Sequence, residues 1–253
     1  MSRRHGIPHQ HGPFRFENDP SGAGRIVFRG RDAKGVLDPV ALDSLRSAIG
    51  EAREDDCRLV FLESRLPFLF AAGADLRMLL ELTPAEAADL AKEGQKTFAA
   101  LARIRKLTVA IIDGHSLGGG LDLALACDLR FATPRARFGH PGVRLGIVTG
   151  WGGTVRLPRL VGLPEARKIF YSGDAIDASE AYRIGLADRV AGLPALRRHA
   201  IKISASHPSW PAVRSLRRRL LASEGDPARR RFALGVRNPR ANNDSALKRT
   251  PQP

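Results

Sequence analysis

Within 19 residues the chain passes from an apolar run, VAII (109–112), through DGHSLGGG (113–120) into a second apolar run, LDLALAC (121–127). The first run is short enough for a buried strand. The glycines permit a tight elbow, and the second run has the composition of a buried helix. A strand that feeds a helix directly through a glycine elbow belongs to α/β architecture, because the helix must pack back on the sheet that the strand came from.

The alternation continues on both sides. RIVFRG (25–30) reads as a short strand, residues 39–49 carry a helical stripe (Val40, Leu42, Leu45, Ile49), and residues 58–62 read as a second strand. PFLFAAGADLRMLLEL (67–82) runs from apolar residues through a turn centred on Gly73 into a helix that Asp75 is placed to cap. A longer helix is expected over 84–105. Two more follow residue 162, the second opened by a capping box, Asp177-x-x-Glu180, and closed at Gly185. Residues 1–24, rich in proline, glycine and histidine, read as a loose lead-in to a core over 25–195. A helical region over 196–222 and a polar, basic, poorly ordered tail over 223–253 complete the organisation.

An apolar content of 43% suffices for a sizeable core. No apolar stretch reaches the roughly 18–20 residues of a membrane span, since Asp113, His115, Asp122 and Asp128 interrupt the most apolar region. The N-terminus lacks the apolar segment of a secretory signal, so a cytoplasmic protein is expected. Cys57 and Cys127 have no metal-ligand spacing and read as core thiols, and no metal site is expected. The net charge of +15 is concentrated at one end. Residues 197–253 hold 14 Lys or Arg against three acids, a balance of +11. Such a tail suits phosphate, whether on nucleic acid, a membrane surface or a phosphorylated cofactor, or is simply solvated.

The elbow at 114–120 admits two readings. Its G-x-S-x-G string, between strand and helix, is the context of a nucleophilic serine, here Ser116, with Asp174, Asp177 or Asp188 and His199 or His207 completing a triad. No oxyanion loop of the esterase type precedes it. In the other reading the backbone is the working part: Gly118, Gly119 and Gly120 present N–H groups at a helix N-terminus, and Gly73 lets the N–H of Ala74 do the same. Two such groups on one carbonyl oxygen would form an oxyanion hole.

Four segments carry a resemblance that spacing cannot supply: FAAGADL (70–76), DGHSLGGGLDLALACDLRFA (113–132), RFGHPGVRLGIVTGWGGTVRLPRLVG (137–162) and SGDAIDASEAYRIGLADRV (172–190). In order and spacing they resemble the crotonase, or enoyl-CoA hydratase/isomerase, superfamily. The resemblance implies an α/β spiral of strand-strand-helix turns with C-terminal helices, assembled as a trimer or pair of trimers. It implies acyl-coenzyme A thioester substrates, no cofactor beyond the coenzyme A of the substrate, and an enolate held by the N–H groups of Ala74 and Gly119. Ala72, Gly73, Asp75 and Gly118 would flank that site.

Hydratases of the superfamily add two glutamates. The first falls on Asp122 here and the second on Gly142, so one shorter carboxylate is expected without an evident second. An aspartate used by some relatives falls at Gly150, between Thr149 and Trp151. Asp122 is therefore the expected acid/base. His140, two residues before Gly142, reads as a satisfied structural histidine that could also reach the pocket from the same loop, and Arg144 and Thr149 are weaker candidates. Loss of the second carboxylate leaves a binding protein for acyl-CoA as the competing class, and the basic tail leaves RNA binding as a minor one.

Overall fold

The computed structural model describes residues 12–31 and 34–206. The expectations for 1–11, for the helical region beyond Ser206 and for the basic tail lie outside the described residues. Two sheets carry the fold. The larger has six strands in the order β1 (Phe14–Asn18), β2 (Gly24–Phe28), β3 (Leu59–Ser64), β5 (Leu107–Ile112), β7 (Leu129–Ala132), β10 (Arg189–Val190). The smaller runs β4 (Leu69–Ala71), β6 (His115–Leu117), β8 (Arg137–Gly139), β9 (Ile176–Asp177). From β2 to β10 every pairing in the large sheet is parallel, and β4, β6 and β8 are parallel in the small one.

Chain order explains this split. Each turn lays one strand in the large sheet, the next in the small sheet, and then returns through helix. β3 and β4 lead to α2 (Leu76–Glu81) and α3 (Pro84–Ala102); β5 and β6 lead to α4 (Gly119–Leu125); β7 and β8 lead, through a 3-10 turn at Pro141–Leu145, to α5 (Gly153–Val161) and α6 (Leu163–Ser172). The expected spiral of strand-strand-helix turns is present. Its first turn is abbreviated: after β2 the chain contributes only a bridge from Val36 to Gly73 before α1 (Pro39–Glu54), yet that bridge is well bonded, with the Leu37 N–H donating to the Gly73 carbonyl at 2.7 Å.

The central strands are buried on both faces, as parallel strands between helices must be. In β3, Val60 and Leu62 join the main core with α1, α3 and α4, while Leu59 and Phe61 join a second cluster with Leu196 and Ala200 of α8 (Leu193–Ala205). On that second face Glu63, only 4% exposed, accepts hydrogen bonds from Arg25 of β2 and Arg197 of α8, tying the helix to the sheet.

Two expectations need correction. The loose lead-in over 1–24 is a strand from Phe14 onward: β1 pairs antiparallel with β2, and the ring of Phe14 stacks on that of Phe28 at 4.4 Å. The proline and glycine around it punctuate the hairpin turn, where Gly22 takes φ +79°; the FRF alternation was the stronger signal. The capping box at α7 (Ala178–Arg183) is half formed. Asp177 accepts from the Glu180 N–H at 2.8 Å, but the Glu180 carboxylate turns to Arg183. A complete box caps α3 instead, between Thr83 and Glu86. Among the described residues no helix is long and apolar enough to cross a membrane.

Candidate active site

Because β4, β6 and β8 are parallel neighbours, their carboxyl ends fall side by side. Leu117 of β6 is in register with Gly139 of β8, and the Gly118 N–H donates to the Gly139 carbonyl at 2.9 Å. The residues that follow, Gly119 and His140, therefore leave the sheet at one edge. On the other side of β6, an ideal Cβ on Gly73 would sit 2.7 Å from the Gly119 nitrogen and 3.0 Å from the Leu117 carbonyl oxygen. Gly73 also takes φ +93°, so only glycine fits a turn this tight against the start of α4. Gly119 is the first residue of α4, and the N–H of such a residue has no carbonyl within its own helix to bind.

These ends open onto a cavity of about 590 Å³. Ala72, Ala74, Gly118, Gly119, His140 and Gly142 all line it, with an aliphatic wall that includes Leu76, Leu90 and Ile147. Trp151 also lines it and fixes its shape. An ideal Cβ on Gly94 of α3 would meet the indole at 2.2 Å and one on Gly119 would meet it at 2.4 Å, so the ring is held between two bare glycines. Its Nε1 donates to the Leu90 carbonyl at 3.3 Å, and the Phe98 ring meets it edge-on.

Asp122, one turn into α4, is fully buried beside this cavity. Its Oδ2 accepts from the Thr149 hydroxyl. Its Oδ1 packs against Gly153, where an ideal Cβ would come within 2.0 Å of it, and has no side-chain hydrogen bond; Nε2 of His140, equally unpartnered, lies 3.4 Å away. Burial pushes the Asp122 carboxyl up to about 6, against the pull of the Thr149 hydroxyl, the Arg156 charge and the backbone N–H groups of Gly153 and Trp151. Burial alone holds His140 down at about 4. The imidazole is thus neutral at pH 7, with its ring against Phe170 at 4.7 Å between centroids.

Residues 19–223 match the Enoyl-CoA hydratase/isomerase family. The chain belongs to that family. It is 39% identical over 159 residues to crotonyl-CoA hydratase of Syntrophomonas wolfei, covering 62% of this chain and 61% of that protein. It is likewise 39% identical over 161 residues to the short-chain-enoyl-CoA hydratase of Clostridium acetobutylicum, covering 60% and 62%. The chain thus spans about three fifths of the length of these relatives. Among solved structures, an enoyl-CoA hydratase from Bacillus anthracis superposes with a TM-score of 0.78 at 27% identity, over 95% of this chain and 98% of that one.

As a member of the enoyl-CoA hydratase/isomerase family, the chain sorts its sequence candidates clearly. Ala72, Ala74, Gly118, Gly119, His140, Gly142 and Thr149 share one cavity, with Gly73 directly behind it. Asp75 does not line it: its carboxylate caps α2, accepting from the Arg77 N–H at 2.9 Å. Arg144 pairs with Asp174 and the Ser172 carbonyl instead. Ser116 is fully buried in β6, and its hydroxyl donates to the Gly120 carbonyl at 3.1 Å, a structural bond that directs it away from the nucleophile's role. Trp151 and Phe170 were not among the sequence candidates for the site. The glycines flanking Trp151 in TGWGGT were the available signal, since a large ring among residues without side chains needs a partner surface elsewhere.

Proposed function

We propose that this chain acts on acyl-CoA thioesters through an enolate, as an enoyl-CoA hydratase or isomerase. The observation that carries this reading is the packing of the Gly73 turn against the first residue of α4 at the mouth of an apolar cavity. The N–H groups of Ala74 and Gly119 would bind the thioester oxygen. A donor of this kind, aimed where negative charge develops, contributes about 3 kcal/mol to the transition state. The apolar wall would receive the acyl chain, and Asp122 would supply the carboxyl of the proton-transfer machinery. Its pKa near 6 keeps the carboxylate within reach of protonation at neutral pH.

Gly142 leaves the site without a second carboxylate, which favours moving one proton along the substrate over holding and activating a water. Isomerisation of a β,γ-enoyl-CoA is therefore expected to outpace hydration. Assembly as a trimer or pair of trimers belongs to the same reading. The test is a panel of α,β- and β,γ-enoyl-CoAs assayed with the wild type, D122N and G142E. Turnover lost in D122N supports the reading. Tight binding of acyl-CoA with no turnover by the wild type would make the chain a binding protein instead.

A further inference from the structure

Asp122 has no exposed surface, whereas two side chains that touch it, His140 and Thr149, line the cavity. A carboxyl so placed can exchange a proton with a bound substrate only through a neighbour. The Thr149 hydroxyl is committed to Oδ2. His140 is not committed: its Nε2 is buried and unpaired, facing the unpaired Oδ1. Buried polar atoms are paired in all but a few cases, so two orphans facing each other at 3.4 Å call for an explanation. His140 is also the residue that strand register places beside the Gly118–Gly119 elbow.

We propose that His140 is a catalytic residue, the base and acid that works on the carbon next to the thioester carbonyl, and that Asp122 is its positioning partner. This rests on the enolate reading above. In the step, the Cα–H bond breaks and the imidazole nitrogen takes the proton. The C–H electron pair moves to the thioester oxygen, where the N–H groups of Ala74 and Gly119 hold it. The imidazolium is stabilised by the Asp122 carboxylate and gives the proton back, either to Cα or, in a β,γ-enoyl thioester, to Cγ as the double bond shifts. No atoms are gained or lost and no co-reactant is needed. Among the described residues the charge that acts on the pair from outside is Arg156 of α5, and Phe170 of α6 packs against the imidazole.

The pair replaces a second carboxylate at 142. A side chain there is constrained, since its Cβ would lie 3.1 Å from the Ile147 carbonyl oxygen, itself part of a turn closed by the Ile147 N–H on the Gly142 carbonyl.

The experiment is exchange of the α-protons of butyryl-CoA in D2O, followed by mass spectrometry, alongside turnover of a β,γ-enoyl-CoA. H140Q keeps a polar side chain but cannot carry a proton. It is expected to lose exchange and turnover by about 100-fold, the low end of what acid/base groups contribute, with butyryl-CoA affinity and the thermal midpoint little changed. In D122N/H140Q the loss should be no larger than in H140Q alone, as for residues acting as one unit. Exchange by H140Q at the wild-type rate, or losses that multiply in the double variant, would overturn the proposal while leaving the enolate reading intact. A wild type that neither exchanges nor turns over any thioester would instead overturn the enolate reading. Should H140Q fail to fold, nitrogen-15 spectra of the wild-type histidine rings serve: an Nε2 resonance of His140 indifferent to bound butyryl-CoA rejects the role, and a shifted one supports it.

Discussion

Nε2 of His140 lies 3.4 Å from Oδ1 of Asp122, and neither atom has a side-chain hydrogen bond. Burial raises the carboxyl to about 6 and lowers the imidazole to about 4, so at neutral pH the pair is a carboxylate facing an uncharged ring.

These opposite shifts have opposite effects on stability. Between about pH 4 and 6 the folded protein holds the Asp122 proton that the unfolded chain releases, which stabilises the fold as pH falls. Between 6.5 and about 4 the unfolded chain takes up a proton on His140 that the folded protein refuses, which destabilises it as pH falls. Each slope approaches about 1.4 kcal/mol per pH unit, and in the wild type they offset. D122N should therefore lose stability on acidification from pH 6.5 to 4, and H140Q should gain it from pH 6 to 4. Denaturant unfolding across that range reads both slopes, and parallel curves for the three proteins would refute the assignment.

G73A places a methyl group against the Gly119 nitrogen in a backbone conformation that side chains rarely adopt. The turn must shift, and with it the N–H of Ala74. Turnover is expected to fall by about 100- to 1000-fold, the effect of losing one oxyanion donor. Affinity for free coenzyme A, which presents no thioester oxygen, should change little, as calorimetry would establish.

Trp151 sits between Gly94 and Gly119 and lines the cavity, so its fluorescence should respond to an acyl-CoA chain. The second tryptophan is Trp210. In a W210F background, titration with butyryl-CoA is expected to change the remaining emission. W151A should cost about 3–5 kcal/mol, as for other large buried rings.

On the far face of the large sheet, E63A removes the partner shared by Arg25 and Arg197. Arg25 keeps Glu17 and Asp19 at 3.9 Å and Arg197 keeps Asp19 at 3.7 Å, so the expected cost is that of lost charged hydrogen bonds, about 1.5–3 kcal/mol. Amide exchange in α8 should accelerate, since Arg197 would keep only the longer pairing with Asp19.

The alternation of strand and helix was legible because it depends on local pattern. The runs at 26–28, 59–62 and 109–112 became β2, β3 and β5, and Asp75 and Thr83 stand at the helix starts that their chemistry favours. The small sheet was not legible. Its strands are two or three residues long, too short to show a period, and they exist because the large sheet's spiral brings them together. Ser116 therefore read as part of the elbow between strand and helix although it lies in β6. The Asp122–His140 pairing was hidden for the same reason: it depends on the register of Leu117 with Gly139, which no spacing along the chain encodes.

Gly94 lies on α3, 25 residues before Gly119 and outside the lining of the cavity. In a helix interior glycine sacrifices about 1 kcal/mol relative to alanine. Yet a single methyl group there would drive the indole of Trp151 toward Gly119. Helix α3 and the elbow are thus spaced by one aromatic ring acting as a gauge block, and the width of the cavity at Gly119 is set by a residue that does not line it.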